Sequence, residues 1–180
     1  MNFSIVPERP FDAAAIEMLL QVAFGPDRHA KTVYKLREGV EPLPDLAFVA
    51  LDEGGVLQAS IRYWPILIDR RWPAVLLGPL AVNPVHKGRG MGKALMRHSL
   101  AEAARLGHRL CLLVGDHDYY APFGFVHAAP FGLKLPGWVD LDRFHVRELV
   151  PGAMAGVSGM VGRAPGAGRS LMGSGARSVG

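Results

Sequence analysis

The spacing of apolar positions changes period several times along the chain, and each change marks an element. Over residues 12–24, Ala14, Ile16, Leu19, Leu20 and Phe24 recur at approximately helical spacing and stop at Gly25-Pro26, which predicts a first helix. A shorter helical stretch over 29–39 precedes a loop carrying Pro42 and Pro44. The apolar run LAFVAL (46–51) then meets the turn Asp52-Glu53-Gly54-Gly55 and returns as VLQASIRYWPILI (56–68), the pattern of a hairpin. A basic turn at Asp69-Arg70-Arg71 leads into AVLLGPLAV (74–82), so nearly free of polar residues that it predicts a central strand buried on both faces. Pro79 sits inside that strand. Proline cannot donate a ladder hydrogen bond, so the strand should be bulged or splayed there, and the interruption points to a site.

From residue 90 to 106 the period is 3.6: Leu95, Met96, Ser99, Leu100, Ala103 and Leu106 share one side, and Lys93, Arg97, His98, Ala101 and Arg105 the other. Gly107 suits the end of that helix. RLCLLV (109–114) predicts a further buried strand, and strand, long helix, strand is the right-handed parallel crossover. With the hairpin before it, the sheet is expected to be mixed. FHVREL (144–149) and GVSGMV (156–161) are candidate last strands. Residues 164–180 are mostly Gly, Ala, Ser and Arg with little to bury, so a single domain over 1–163 followed by a flexible tail over 164–180 is expected.

Composition narrows the class. The 180 residues fit one domain, and 49% hydrophobic content is ample for one core. Lys and Arg exceed Asp and Glu by 20 to 16, which favours an anionic ligand but is too slight and too scattered for a nucleic-acid binder. The one cysteine, Cys111, cannot form an intramolecular disulfide, and the opening MNFSIVPERP lacks the apolar core of a secretory signal. A cytoplasmic location is expected. No window reaches the ~20 apolar residues of a membrane-spanning helix, so no membrane partner is expected either.

Candidate chemistry gathers between the interrupted strand and the long helix, in NPVHKGRGMGK (83–93). Gly88, Gly90 and Gly92 at alternate positions let the backbone turn tightly and let a phosphate approach amide N–H groups. The positive end of the helix faces the same point, and Lys87, Arg89 and Lys93 add cations around it. Two other phosphate loops do not fit. The Walker pattern would need Gly and Ser or Thr where Lys87 and Ala94 stand, and the dinucleotide pattern begun at Gly88 puts Lys93 in place of its last glycine.

Leu80-Ala81-Val82-x-Pro84 followed by Lys87-x-x-Gly90-x-Gly92 resembles the acetyl-CoA motif of the GNAT superfamily of N-acetyltransferases, with Lys87 where Arg or Gln is usual. Tyr120-Ala-Pro-Phe-Gly-Phe resembles that family's tyrosine, three residues, Gly-Phe element, and GDHDYYAPFGF is most similar to a bacterial subgroup of predicted acetyltransferases. The resemblance implies an α/β GNAT fold: a mixed, mostly antiparallel sheet with a splayed parallel central pair and helices on both faces. It implies acetyl-CoA as cosubstrate and no metal. The pantetheine arm would pair with backbone at Leu80, Ala81 and Val82, and the pyrophosphate would be held by the loop Lys87, Gly88, Arg89, Gly90, Met91, Gly92 and Lys93. Tyr120 would act as general acid, with Tyr119 the neighbouring alternative. The acceptor would be a small-molecule or peptide amine, selected by loops around 25–45 and 126–145, and a second copy of the chain stays open as a partner. A non-catalytic acyl-CoA sensor and a different nucleotide-binding enzyme are the rival readings.

Other conspicuous residues have plainer readings beside the chemical ones. Cys111 lies in an apolar strand that would bury it as an inert thiol. Asp116, His117 and Asp118 follow a strand end, where His117 could take a proton from an amine or simply cap a short helix. The seven histidines show no pairing of metal-ligand spacing. Arg62, Tyr63 and Trp64 could line an acceptor pocket or could pack.

Overall fold

A computed structural model describes residues 2–165, so most of the tail expected over 164–180 lies outside the described residues. The strands are β1 (Phe3–Pro7), β2 (Phe48–Asp52), β3 (Leu57–Ile68), β4 (Trp72–Val82), β5 (Leu110–Val114), β6 (Val126–His127), β7 (Leu133–Lys134), β8 (Phe144–Glu148) and β9 (Gly159–Arg163). The α-helices are α1 (Ala13–Phe24), α2 (Thr32–Lys35), α3 (Met91–Arg105) and α4 (His117–Tyr120). Strand order is β1-β2-β3-β4-β5-β8-β6, antiparallel at every step but β4–β5. The mixed α/β sheet with one parallel central pair is therefore present. β3 is long enough to take β2 along its first half and β9 along Ile66–Ile68.

Alternation along the strands divides the core between two faces. Val75, Leu77, Cys111 and Leu113 pack with Leu95, Met96 and Ala103 of α3 on one face. Leu76, Leu110 and Leu112 pack with Leu36 on the other, where α1 covers Val49, Leu51 and Ala81. At ~25 cal/mol per Å² of apolar surface removed from water, these two layers are the main stabilising element of the fold. α3 starts at a Gly90 in the left-handed conformation (φ 91°) and ends as Gly107 (φ 88°) donates to the Ala104 carbonyl.

The bulge expected at Pro79 is present. Ile61 faces Leu80 and Tyr63 faces Leu77, so β4 carries one residue more than β3 between these pairs. The extra residue reverses the alternation: Val75 and Leu77 face α3 before it, Leu80 and Val82 after it. Beyond the bulge β4 also loses β5, which pairs with it only at Val75–Cys111 and Leu76–Leu112. β5 instead keeps its full length against β8, from Leu110–Glu148 to Val114–Phe144. The two parallel strands thus part toward their C-terminal ends, leaving one edge of Leu80–Val82 without a strand.

Besides the two-residue strands β6 and β7, which no pattern foretold, two elements depart from the sequence pattern. β1 was not expected, because FSIVP is too short to show a period; it is an edge strand on β2, ending at Pro7. The helical stretch expected over 29–39 is a 3-10 turn, Pro26–Ala30, and the single turn of α2. Thr32, Val33 and Tyr34 are weak helix formers, and Gly39 at φ 71° ends any continuation. Among the described residues no helix is long and apolar enough to cross a membrane.

Candidate active site

The glycine loop joins the parted end of β4 to the start of α3. Asn83 anchors it: its amide donates to the Gln58 carbonyl (2.7 Å), its side chain donates to the Gln58 side-chain oxygen (2.8 Å), and its Oδ1 accepts from Val85 N–H (3.2 Å). The loop is therefore built before any ligand arrives. Gly88 (φ 78°) and Gly90 (φ 91°) both sit in the left-handed region, which a Cβ disfavours. Ala94 is the first residue of α3 whose amide bonds back, to the Gly90 carbonyl at 3.0 Å, so the amides of Met91, Gly92 and Lys93 have no helical acceptor. Met91 tucks its side chain into the core and offers only backbone. Lys87, Arg89 and Lys93 are exposed, and none is in an ion pair among the described residues. Orphan amides, the helix dipole and three uncompensated cations make this a place suited to an anion.

Gly92 is required for a different reason. A Cβ there would lie 2.7 Å from the Tyr119 hydroxyl and 3.4 Å from Val82 Cγ2. The first turn of α3 is thereby held close to both β4 and α4. A cleft of about 210 Å³ follows from this point, lined by Lys93, Arg97, Asp118, Tyr119, Pro122 and Phe123. Arg97 and Phe123 were not singled out from the sequence as a pair. Their signals were present, since Arg97 lies one helical turn after Lys93 and Phe123 sits inside the tyrosine element.

The two tyrosines of α4 diverge. Asp116 caps this short helix, accepting from Asp118 N–H. Tyr119 reaches the helix start as described, and burial raises its phenol pKa while Arg97 pulls it down. Tyr120 lays its ring on Gly115, where a Cβ would overlap it, and packs edge-on against Phe125 with centroids 6.1 Å apart. It stands just past β5, where that strand has left β4. Burial pushes its phenol well above the ordinary range, with Tyr119 adding to the rise and Arg143 and Arg37 opposing it. The group is protonated throughout the neutral range.

The three residues at the bulge on β3 have three different settings. Tyr63 is fully buried against α3 and hydrogen-bonds Ser99 at 2.8 Å, so it packs. Arg62 is bound to Glu8 at 2.6 Å. Trp64 faces the other way and donates its indole N–H to the Gly78 carbonyl at 2.7 Å, fixing the bulge. Cys111 is fully buried, and burial pushes its thiol far up, which leaves it inert. The histidines are less dispersed than their spacing suggested: His117 Nδ1 lies 2.9 Å from His145 Nε2, and His127 stacks on His117 at 4.4 Å. Their nearest ring nitrogens lie within 4.8 Å of one another. Strand register makes this cluster, since β6 and β8 set His127 opposite His145.

Comparison with known proteins accords with this geometry. A model of the acetyltransferase (GNAT) domain matches residues 44–127, which span the hairpin, the bulged strand, the loop, α3 and the tyrosine element. YhbS of Escherichia coli K12, an uncharacterised N-acetyltransferase, is 32% identical over 157 residues, covering 86% of this chain and 92% of that protein. The crystal structure of E. coli YhbS in complex with CoA has a TM-score of 0.78 at 30% identity, covering 91% of each chain. A GNAT family acetyltransferase from Brucella melitensis in complex with acetyl-CoA has a TM-score of 0.63 at 30% identity, covering 83% of this chain and 90% of that one. With a relative this similar over nearly its whole length, and with the sheet, split and loop in place, the chain belongs to the GNAT family of N-acetyltransferases.

Proposed function

We propose that this protein transfers an acetyl group from acetyl-CoA to a primary amine by direct attack, with no covalent enzyme intermediate. The observation that carries the reading is the parting of β4 and β5 at a bulge, with an anion-binding helix start on one side and Tyr120 on the other. The complexes of YhbS with CoA and of the Brucella enzyme with acetyl-CoA support the choice of coenzyme. Its pyrophosphate suits the amides from Lys87 to Lys93. Its pantetheine arm suits the strandless edge of Leu80, Ala81 and Val82, where it would pair as an added strand.

The amine nitrogen attacks the thioester carbonyl, the C–N bond forms, and the C–S bond breaks. Alignment and a backbone N–H toward the developing oxyanion supply most of the acceleration. The departing thiolate takes the phenolic proton of Tyr120, and the proton shed by nitrogen restores the phenol over the cycle. No step calls on a metal.

The test is acetyl-CoA binding by calorimetry, followed by thiol release and mass spectrometry across a panel of amines. Coenzyme-dependent N-acetylation of at least one class of amine is expected. Tight coenzyme binding without turnover on any amine would instead indicate an acyl-CoA sensor. Binding of ATP or NAD but not of acetyl-CoA would overturn both readings.

A further inference from the structure

Arg37 differs from the arginines whose charges are matched. Arg9 pairs with Asp12, Arg28 with Glu17, Arg62 with Glu8 and Arg105 with Glu102. Arg37 has no carboxylate within ion-pair distance among the described residues, and its Nε is buried without a hydrogen-bond partner. Its surroundings are aromatic and backbone: the guanidinium lies 4.7 Å from the Tyr34 ring centre and 5.8 Å from that of Trp64. A Cβ on Gly78 would come within 3.0 Å of Arg37 Nη2, so the guanidinium lies against the first residue of the β4 bulge. Trp64 holds that same residue through its carbonyl. Arg37 also lines a cleft of about 290 Å³ together with His29, Tyr34, Lys35 and Glu38.

A half-buried cation that rests on aromatic rings, has no carboxylate partner and lines a cleft can take an anion that comes and goes. We infer that Arg37 binds an oxyanion carried by the acceptor, so that the acetylated substrate is a small primary amine bearing a carboxylate or a phosphate. The inference rests on the acetyltransferase reading above. The coenzyme's pyrophosphate does not account for the charge, because the loop at Lys87–Lys93 would hold it, and its thioester end is neutral. The position suits the acceptor, since Arg37 lies against Gly78 at the bulge and β4 and β5 part there. Burial lowers the guanidinium pKa to about 10, and it remains a cation at neutral pH. Its planar fork matches a carboxylate or phosphate through two parallel hydrogen bonds, which a lysine could not reproduce.

The test uses N-acetylated products, so that binding can be read without turnover. N-acetylglycine, N-acetylethanolamine phosphate and neutral N-acetylethanolamine are titrated calorimetrically into the full chain, with and without CoA, alongside Arg37→Ala and Arg37→Lys. At least one anionic product should bind wild type on the order of 10- to 100-fold more tightly than the neutral one, and which anion wins identifies the group. Arg37→Ala should erase that preference and Arg37→Lys keep part of it, with acetyl-CoA affinity within about threefold of wild type in both. A purely structural role for Arg37 would not move the charge preference. Equal binding of neutral and anionic products, a preference that survives in Arg37→Ala, or binding of acetyl-CoA but of none of the products would overturn the inference. Failure of acetyl-CoA to bind would instead strike the reading beneath it, and the titrations without CoA would still decide for or against Arg37.

Discussion

The two ends of the opening between β4 and β5 are built from different materials. At the end where the coenzyme is proposed to bind, the groups that matter are backbone: amides freed by a helix start, turns that need left-handed glycines, and a strand edge exposed by a bulge. At the other end they are side chains brought from separate stretches, Tyr34 in α2 and Arg37 just after it, Trp64 on β3, and Tyr120 after β5. Backbone can bind only what all ligands of one class share. Side chains discriminate, so the first end would suit a common coenzyme while the second would be free to define an acceptor.

The largest effect should come from filling the backbone end. In Gly92→Val the added carbon meets the Tyr119 hydroxyl 2.7 Å away, and a tyrosine ring cannot yield as a flexible chain would. The first turn of α3 must then move off β4, carrying the orphan amides with it. Acetyl-CoA binding should fall by a factor on the order of 10² or more, the equivalent of losing two charge-assisted hydrogen bonds. Gly90→Val strains a φ of 91° in open space, at about 1–2 kcal/mol, and should cost less. Calorimetry with a circular-dichroism control for folding ranks the two. Equal, undiminished binding in both would mean that the coenzyme does not use this loop.

The same contrast explains what was legible in the sequence. The glycine alternation, the proline interruption and the tyrosine element each lie within a dozen contiguous residues, so local pattern reveals them. Even the bulge could be anticipated, because a proline without an N–H inside an apolar strand leaves few alternatives. The Arg37 environment could not, since it joins residues 34, 37, 64 and 78 through the β3–β4 register and a turn of α2 that the pattern overextended. Tyr63 and Trp64 are adjacent and alike in the sequence, yet strand alternation sends one to the α3 face of the core and the other to the opposite face, where it holds the Gly78 carbonyl. The histidine cluster was missed for the same reason: β6 has two residues, too few for a period, and only its pairing with β8 brings His127 and His145 together.

The next effect probes the tyrosine where the two ends meet. Tyr120→Phe keeps the ring on Gly115 and removes only the hydroxyl, so acetyl-CoA affinity should hold while kcat falls on the order of 10²-fold, the lower range for a positioned general acid. Because burial raises the phenol pKa, its proton is lost only above the ordinary value of about 10. The wild-type rate should accordingly show no alkaline decline from this group up to that pH. Wild-type turnover in the variant, under conditions where chemistry limits the rate, would remove Tyr120 from the role, and Tyr119→Phe would be the next measurement.

The smallest effect concerns a polar cluster outside the opening and reads out as stability. His145 is fully buried, and burial lowers its pKa, reinforced by the charges of His117, His127 and Arg143 and opposed by a backbone carbonyl at Arg143. No carboxylate is among these neighbours to favour the imidazolium. A histidine whose pKa is lowered in the folded state binds its proton more readily in the unfolded chain. Its cost to folding is therefore absent above the unfolded value of about 6.5 and grows as pH falls through that value toward the lower folded one. Each unit of lowering corresponds to about 1.4 kcal/mol. Urea unfolding at pH 7.5 and 5.5 should show wild type losing stability over this interval, and His145→Leu losing less, because the variant has no proton to take up there. The comparison between the two pH values cancels whatever the leucine does to packing. An equal loss in both proteins would place the acid sensitivity elsewhere, with the exposed carboxylates that titrate below pH 5.5 already excluded by the choice of interval.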